Sequence, residues 1–263
     1  MACSDKIGFP EGLLGERPVR LDVPARRDGG FIVVNRPAGV FLEPDGSVEN
    51  PPNIIGAIRA QKGKPELARL GVANPFSVYP DDAELSGASL VASDKGPAAE
   101  LRNAFGSGMF SFEFLILSER PYGKVSECAD LPLLRHAQKP RAVVSHRYGK
   151  KCSTSFSLVE DLGDWQLWSA KTSFLRWHQI RIHAAEAGLR PVGDDTYVRV
   201  RKIFLSRLKR GQFKGECDSP IYGHVAIHLS RLEFPYAGER VSVEAALPKA
   251  FEAMLKKIRA MYR

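Results

Sequence analysis

The chain has 263 residues, 44% hydrophobic and 26% charged, with a net charge of +8. These values exclude a disordered polymer and leave enough apolar material for a substantial core. Runs such as Phe31–Val34 and Phe114–Leu117 are too short to span a bilayer, and Met1 to Pro18 has no apolar stretch of the kind a secretory signal needs, so a soluble cytoplasmic protein is expected.

Phe31 to Asn35 reads as a strand closed by the turn signal Arg36-Pro37-Ala38-Gly39. Asn53 to Gln61 has helical spacing, with Ile54, Ile55 and Ile58 on one side. Ala88 to Ser93 is a short strand, and Gly96 to Phe105 is a helix with Pro97 near its start. Phe112 to Ser118 is a strand, and Thr154–Val159 and Trp165–Ala170 form a hairpin around Gly163-Asp164. His224–Glu233 and Arg240–Ala245 are two further strands, and Leu247 to Arg263 is a basic helix. Strands dominate and helices intervene without a βαβ rhythm, which predicts an α+β fold with a large mixed or antiparallel sheet flanked by helices and loops. A division into an N-terminal extension, residues 1–28, and one catalytic domain, residues 29–263, is expected.

Charge is unevenly placed. Residues 1–138 hold 15 Lys and Arg against 18 Asp and Glu, whereas residues 139–263 hold 23 against 12. A basic half points to a polyanion, with nucleic acid ahead of an anionic membrane. The densest segment, Arg199 to Lys214, has seven basic residues and no acid. It reads as a phosphate-contacting flap, with a solvated loop or helix face as the plainer alternative. Cys3, Cys128, Cys152 and Cys217 form no CxxC pair, so neither a disulfide scaffold nor a zinc ribbon is expected.

Two segments carry the chemistry. Arg176-Trp177-His178-Gln179-Ile180-Arg181-Ile182-His183 packs two Arg, two His and an amide among apolar residues. Its alternation predicts an extended segment with Ile180 and Ile182 on one face and Gln179, Arg181 and His183 on the other. A helix end follows, stopped by Gly188. A buried Arg181 needs a carboxylate. Tyr79-Pro80-Asp81-Asp82-Ala83-Glu84-Leu85-Ser86-Gly87 offers three acids in four residues, either at a cleft edge or in an exposed acidic turn. His178 and His183 with Asp194 and Asp195 lack the helical spacing of a zinc site, and no metal is expected. His228 reads as a core histidine, and Trp165, Trp168 and Trp177 as packing residues.

Together these segments resemble the RluA-type pseudouridine synthases. The family's His-Arg-Leu-Asp-x-x-Thr-Ser-Gly frame falls on Tyr79 to Gly87, which puts Asp82 at the catalytic position. Arg-x-His-Gln-Ile-Arg-x-His matches Arg176 to His183, and Gly-Asp-x-x-Tyr matches Gly193, Asp194 and Tyr197. Val33 to Gly39 matches the family's opening strand and turn. Ala226–Leu229, Phe234-Pro235 and Glu244–Pro248 match its closing strands. The resemblance runs from about residue 29 to the C-terminus.

It implies a cofactor-free isomerisation of uridine to pseudouridine in ribosomal or transfer RNA by a monomer. Asp82 acts at the ribose as nucleophile or base, Arg181 holds it ionised, and Phe114 stacks on the base. RNA contacts are expected from Arg36, Arg176, His178, Gln179, Arg199, Arg201, Lys202, Arg207, Lys209 and Arg210, with hydrogen-bonding roles as the alternative for His178 and Gln179. The chain departs from the family at Pro80 (for Arg), Tyr79 (for His), Phe112 (for Lys) and Phe114 (for Tyr). Those changes motivate a second reading, a catalytically impaired RNA-binding descendant serving as an RNA or ribosome assembly factor. The thirty residues before the first predicted strand are too few for an appended RNA-binding domain, so grip on the substrate is expected from the basic half.

Overall fold

In the computed structural model of the protein, which describes residues 5–72, 74–208 and 218–262, strand formation begins well before Phe31. β1 (Asp5–Phe9) buries Ile7 and Phe9, and β2 (Val19–Arg27) buries Leu21 and Val23, each at period two. They pair antiparallel with Ile7 opposite Leu21. The sequence pattern hid β2 because Pro24 interrupts it. Pro24 lies where the register between β2 and the next strand shifts, between Asp22 and Ala25, and an irregularity of that kind tolerates a residue without an N–H.

The elements then follow in order: β3 (Phe31–Arg36), α1 (Ile54–Ala60), α2 (Pro65–Arg69), β4 (Phe76–Ser77), β5 (Ser86–Ala92), α3 (Lys95–Gly106), β6 (Ser111–Glu119), β7 (Cys128–Asp130), β8 (Leu133–Arg135), β9 (Ala142–Val144), β10 (Ser153–Leu162), β11 (Trp165–Thr172), α4 (Gln179–Glu186), β12 (Arg190–Pro191), α5 (Leu205–Leu208), β13 (Ile227–Tyr236), β14 (Glu239–Glu244) and α6 (Lys249–Met261). The expected α+β architecture is present, and every strand and helix anticipated up to residue 170 and after residue 224 has its counterpart. The short elements β4, β7, β8, β9, β12, α2 and α5 were not anticipated; none exceeds five residues, too few to show a period.

Two compact units are present. The first comprises residues 1–112, 173–177 and 229–246, the second residues 113–172, 178–228 and 247–263. In the first unit the strands run β1-β2-β3-β5-β13, with β4 beside β5 and β14 beside β13. All seven residues of β5 are buried, as a central strand covered on both faces requires. One cluster joins Ile32 and Val34 to Ile54, Ile55, Ile58, Leu67 and Leu70 of the small helices. Asn53 starts α1 by accepting the Gly56 N–H at 2.7 Å.

In the second unit the strands run β6-β11-β10-β7, β12 pairs with β6, and β8 and β9 form a separate hairpin. The basic C-terminal helix α6 buries Phe251, Met254, Leu255 and Ile258 along one stripe. Its Arg259 pairs with Glu160 at 2.7 Å.

The expected extended segment at Arg176 to His183 is corrected by the structure: from Gln179 onward it is the helix α4. All six residues from Gln179 to Ala184 are buried, and a helix buried on all sides has no polar face to give a 3.6-residue pattern. Ile180 and Ile182 therefore mimicked a strand. The stop at Gly188 holds: its φ is +93°, and the Gly188 and Leu189 N–H groups return to Ala185 and Ala184 at 3.1 and 2.9 Å.

Candidate active site

The first unit fixes the loop that carries Asp82. Its neighbour Tyr79 is buried among Phe105, Phe110 and Phe112, with ring centroids 5.7, 6.0 and 5.0 Å away. The Tyr79 hydroxyl accepts from Leu90 N–H at 3.3 Å, and burial pushes its ionisation up out of reach, with Asp81 adding to the effect. Pro80 is exposed, and Asp82 is buried, so this is not an exposed acidic turn.

Arg36 ties the loop down, and its expected RNA contact is corrected. The side chain is 2% exposed, and its guanidinium is occupied by protein. Nε lies 2.9 Å from Asp81 Oδ2, and Nη2 donates to Asp81 Oδ1 and to the Asp82 carbonyl, both at 2.9 Å. Nη1 donates to the carbonyls of Val40 at 2.6 Å and Ala83 at 3.3 Å. Gly39 N–H donates to the Ala83 carbonyl at 2.7 Å, and Glu84 N–H to Asp82 Oδ1 at 3.0 Å. Burial raises Asp81 above the usual carboxylate range; Arg36 pulls against it, and the adjacent Asp82 adds to it. Just beyond, Gly87 has φ +127°, and a Cβ there would run into the Leu229 backbone, so the loop leads into a strand only glycine can enter in this way.

The second unit holds Arg181. Its guanidinium meets Asp194 at two points and donates to Thr196 Oγ1 at 2.8 Å. Asp194 Oδ1 also accepts the N–H groups of Thr196 and Tyr197 at 2.9 and 3.1 Å. Gly193, at φ +81°, brings the backbone so near the His224 carbonyl that a Cβ would lie 2.7 Å from it. The Tyr197 ring lies 5.5 Å from the guanidinium carbon, and its hydroxyl bonds His178 Nδ1 at 3.0 Å.

Gln179 Nε2 donates to Ser153 O, Thr154 Oγ1 and Thr172 Oγ1 at 3.1 to 3.2 Å. His178 and Gln179 are 8% and 1% exposed, so the RNA contacts expected of them give way to the hydrogen-bonding alternative. His178, in the left-handed region at φ +59°, starts α4. Phe114 lies on β6, 4% exposed, so the base stacking expected of it gives way to core packing, and His228 is buried, as expected of a core histidine.

The other basic candidates divide. Arg199, Arg201 and Lys202 are exposed. Arg207 is also exposed, but it sits 3.5 Å from Glu119 and lies over the Trp165 ring. Arg176 lies 4.2 Å over the Phe174 ring. Lys209 and Arg210, with the end of the predicted flap (residues 209–214), fall outside the described residues. A second cationic stretch was missed. From Leu131 to Val159 there is no acid, and Arg135, Lys139, Arg147, Lys150 and Lys151 are exposed on and beside the β8–β9 hairpin. The missing acids were the available signal. No helix among the described residues is long and apolar enough to cross a membrane.

The architecture is that of a pseudouridine synthase. Human RNA pseudouridylate synthase domain containing 4 aligns with 90% of this chain and 92% of its own, with a TM-score of 0.65 at 16% identity. Over 245 residues the chain is 25% identical to ribosomal large subunit pseudouridine synthase D of Zymomonas mobilis, covering 90% of this chain and 74% of that protein. It is also 25% identical over 235 residues to ribosomal large subunit pseudouridine synthase C of Haemophilus ducreyi, covering 89% and 68%. No protein-family model matches. Over most of its length the chain is thus similar to RNA pseudouridine synthases.

Proposed function

We propose that the chain converts uridine to pseudouridine in ribosomal or transfer RNA, with Asp82 as the catalytic carboxylate and Arg181 as the cation that keeps it charged. The overall change is an isomerisation. The bond from uracil N1 to the ribose C1′ breaks, the base turns, C5 bonds to C1′, and the proton lost from C5 is balanced by one gained at N1. No cofactor is needed. The uridine has to leave its stack first, which costs a few kcal/mol and least in loops. Asp82 acts at the ribose, as nucleophile at C1′ or as base at C2′.

The observation that supports this reading most directly is the immobilised loop. Arg36 grips Asp81 and the carbonyls of Asp82 and Ala83, so the carboxylate next to them is held before substrate arrives. A loop of an idle RNA-binding descendant has no need of so many tethers. The acid-free segments Leu131–Val159 and Arg199–Lys214 supply cations for phosphates. The test maps pseudouridines in cellular RNA with and without the gene and assays Asp82→Asn on RNA carrying the lost site. One site lost with the gene and no product from Asp82→Asn are expected. Product from that variant removes Asp82 from the reaction, and an unchanged map removes the enzyme reading.

A further inference from the structure

The second unit contains a cavity of about 550 Å³, lined by Arg120, Glu127, Phe156, Ser157, Gln166 and Trp168 among others, and neither Asp82 nor Arg181 is part of its lining. That volume falls in the range of small-ligand sites. The hairpin builds it: Leu158 stands opposite Trp168 and Phe156 opposite Ala170. Side chains two residues apart share a face, so Phe156 and Leu158 lie on the face that carries Gln166 and Trp168. The Trp168 indole Nε1 donates to Gln166 Oε1 at 3.1 Å, and both side chains are buried, so the indole plane is fixed. Arg120 is steered by the Gly163 carbonyl at 2.6 Å and by Asp161. At the mouth, Leu158 is 48% exposed. Beside the lining residues Pro121 and Gly123 stands Tyr122, 90% exposed, with the Arg190 guanidinium 4.7 Å over its ring.

A fixed aromatic floor, a carboxylate at its edge, a guanidinium alongside and an aromatic lip open to water match the requirements of an unpaired base: a face to stack on and an edge group to pair with. We propose that this cavity takes one unpaired nucleobase of the RNA substrate. The base stacks on the exposed Tyr122 ring over the Trp168 floor, its edge meets Glu127, and its phosphate faces Arg120. The proposal rests on the RNA-modifying reading and adds a second point of grip to it. A protein side chain in the same cavity would be a different occupant, and the test separates the two.

The full chain is titrated with fluorescein-labelled pentauridylate and pentaadenylate at low salt and followed by anisotropy. It is then cross-linked to the same oligonucleotides by ultraviolet light and the peptides are identified by mass spectrometry. Leu158→Glu, which puts a carboxylate at the exposed mouth, and Tyr122→Ala, which removes the lip, are each expected to weaken binding at least fivefold. Cross-links are expected within residues 120–127 or 156–168. Wild-type protein that binds neither pentamer, variants that bind within twofold of wild type, or cross-links confined to other segments would each overturn the proposal. Asp82→Asn is expected to retain pentamer binding while losing product. If wild type binds pentamers here but forms no pseudouridine in any RNA, the enzyme reading fails and the base site stands.

Discussion

Arg181 Nε meets Asp194 Oδ2 at 3.0 Å and Arg181 Nη2 meets Asp194 Oδ1 at 3.1 Å, in a pair whose side chains are 2% and 0% exposed. Both groups have left water, and the two-point geometry sets the plane of the guanidinium as well as its position. Asp194 is itself aimed by the backbone of Thr196 and Tyr197. Asp194→Asn keeps the shape and removes the charge that compensates the buried cation. It is expected to cost about 3 kcal/mol of stability and to lower the isomerisation rate more than tenfold, since the cation proposed to serve Asp82 loses its orientation. Urea unfolding and single-turnover rates read the two effects, and wild-type behaviour in both would contradict this account.

Arg36 makes a parallel case in the first unit. Arg36→Lys retains a charge but replaces a planar fork with a point donor that cannot reach Asp81 and three carbonyls together. Arg36→Met leaves the half-buried carboxyl of Asp81 without its cation. Losses of about 1–2 kcal/mol for Lys and about 3 kcal/mol for Met are expected, with activity falling in the same order. Because the residue is buried rather than on the RNA face, the salt dependence of RNA binding should not move. A shallower salt dependence in Arg36→Lys would restore the RNA-contact role that the sequence had offered.

What the sequence made legible here followed local periodicity. β3, β5, the β10–β11 hairpin and α6 each carry a period or a turn residue that tertiary contacts leave intact. The segment around Arg181 was legible as chemistry and illegible as geometry, because a helix buried all round lacks the face that betrays a helix. Asp82 was located only through its order in a motif, since nothing within nine residues says that Arg36 will hold the loop. Arg36 itself looked like an RNA contact for the same reason: a cation in a turn is normally solvated, and only a three-dimensional partner such as Asp81 reverses that expectation. The Asp194 carboxylate was visible as a motif residue, but its pairing to Arg181 depended on how the chain after α4 turns back.

Gly87 gives a backbone test. At φ +127° and against the Leu229 backbone, Gly87→Ala meets both an unfavourable conformation, about 1–2 kcal/mol, and a backbone that cannot rotate aside. A total loss of about 3 kcal/mol or more is expected, with a fall in activity larger than thermal unfolding alone accounts for, because β5 begins four residues after Asp82. An alanine variant with wild-type melting temperature would show that the strands separate easily at this point.

The hairpin cations give an electrostatic test. If Arg147, Lys150 and Lys151 each meet one phosphate, changing all three to Gln should reduce the slope of log binding constant against log salt by about 2 for a single-stranded substrate. Activity at saturating RNA should be nearly unchanged. Measuring binding from low to moderate salt distinguishes this from a merely solvated hairpin, for which the slope would stay where it was.

His183 yields a pH dependence whose sign is fixed by its surroundings. The ring is fully buried. Nε2 lies 3.0 Å from the Leu131 carbonyl, which can only accept, so Nε2 carries the proton. Thr154 Oγ1 accepts from Gln179 Nε2 and can then donate its own hydrogen to His183 Nδ1, 2.9 Å away. A second proton on Nδ1 would face a hydroxyl already pointing at it. Burial accordingly lowers the His183 pKa below its ordinary 6.5, against the opposing pull of the Leu131 carbonyl and Asp130. The unfolded chain then binds a proton that the folded chain refuses. Stability from this group is complete above pH 6.5 and declines as pH falls from there toward the lowered folded value, by at most about 1.4 kcal/mol per pH unit. His183→Gln cannot take up that proton. It should be less stable than wild type at pH 7.5, with the gap narrowing at pH 6.5 and again at pH 5.5 in urea titrations. A gap that stays constant across those three conditions would mean that His183 titrates alike in both states, and the proton chain from Gln179 through Thr154 would have to be abandoned.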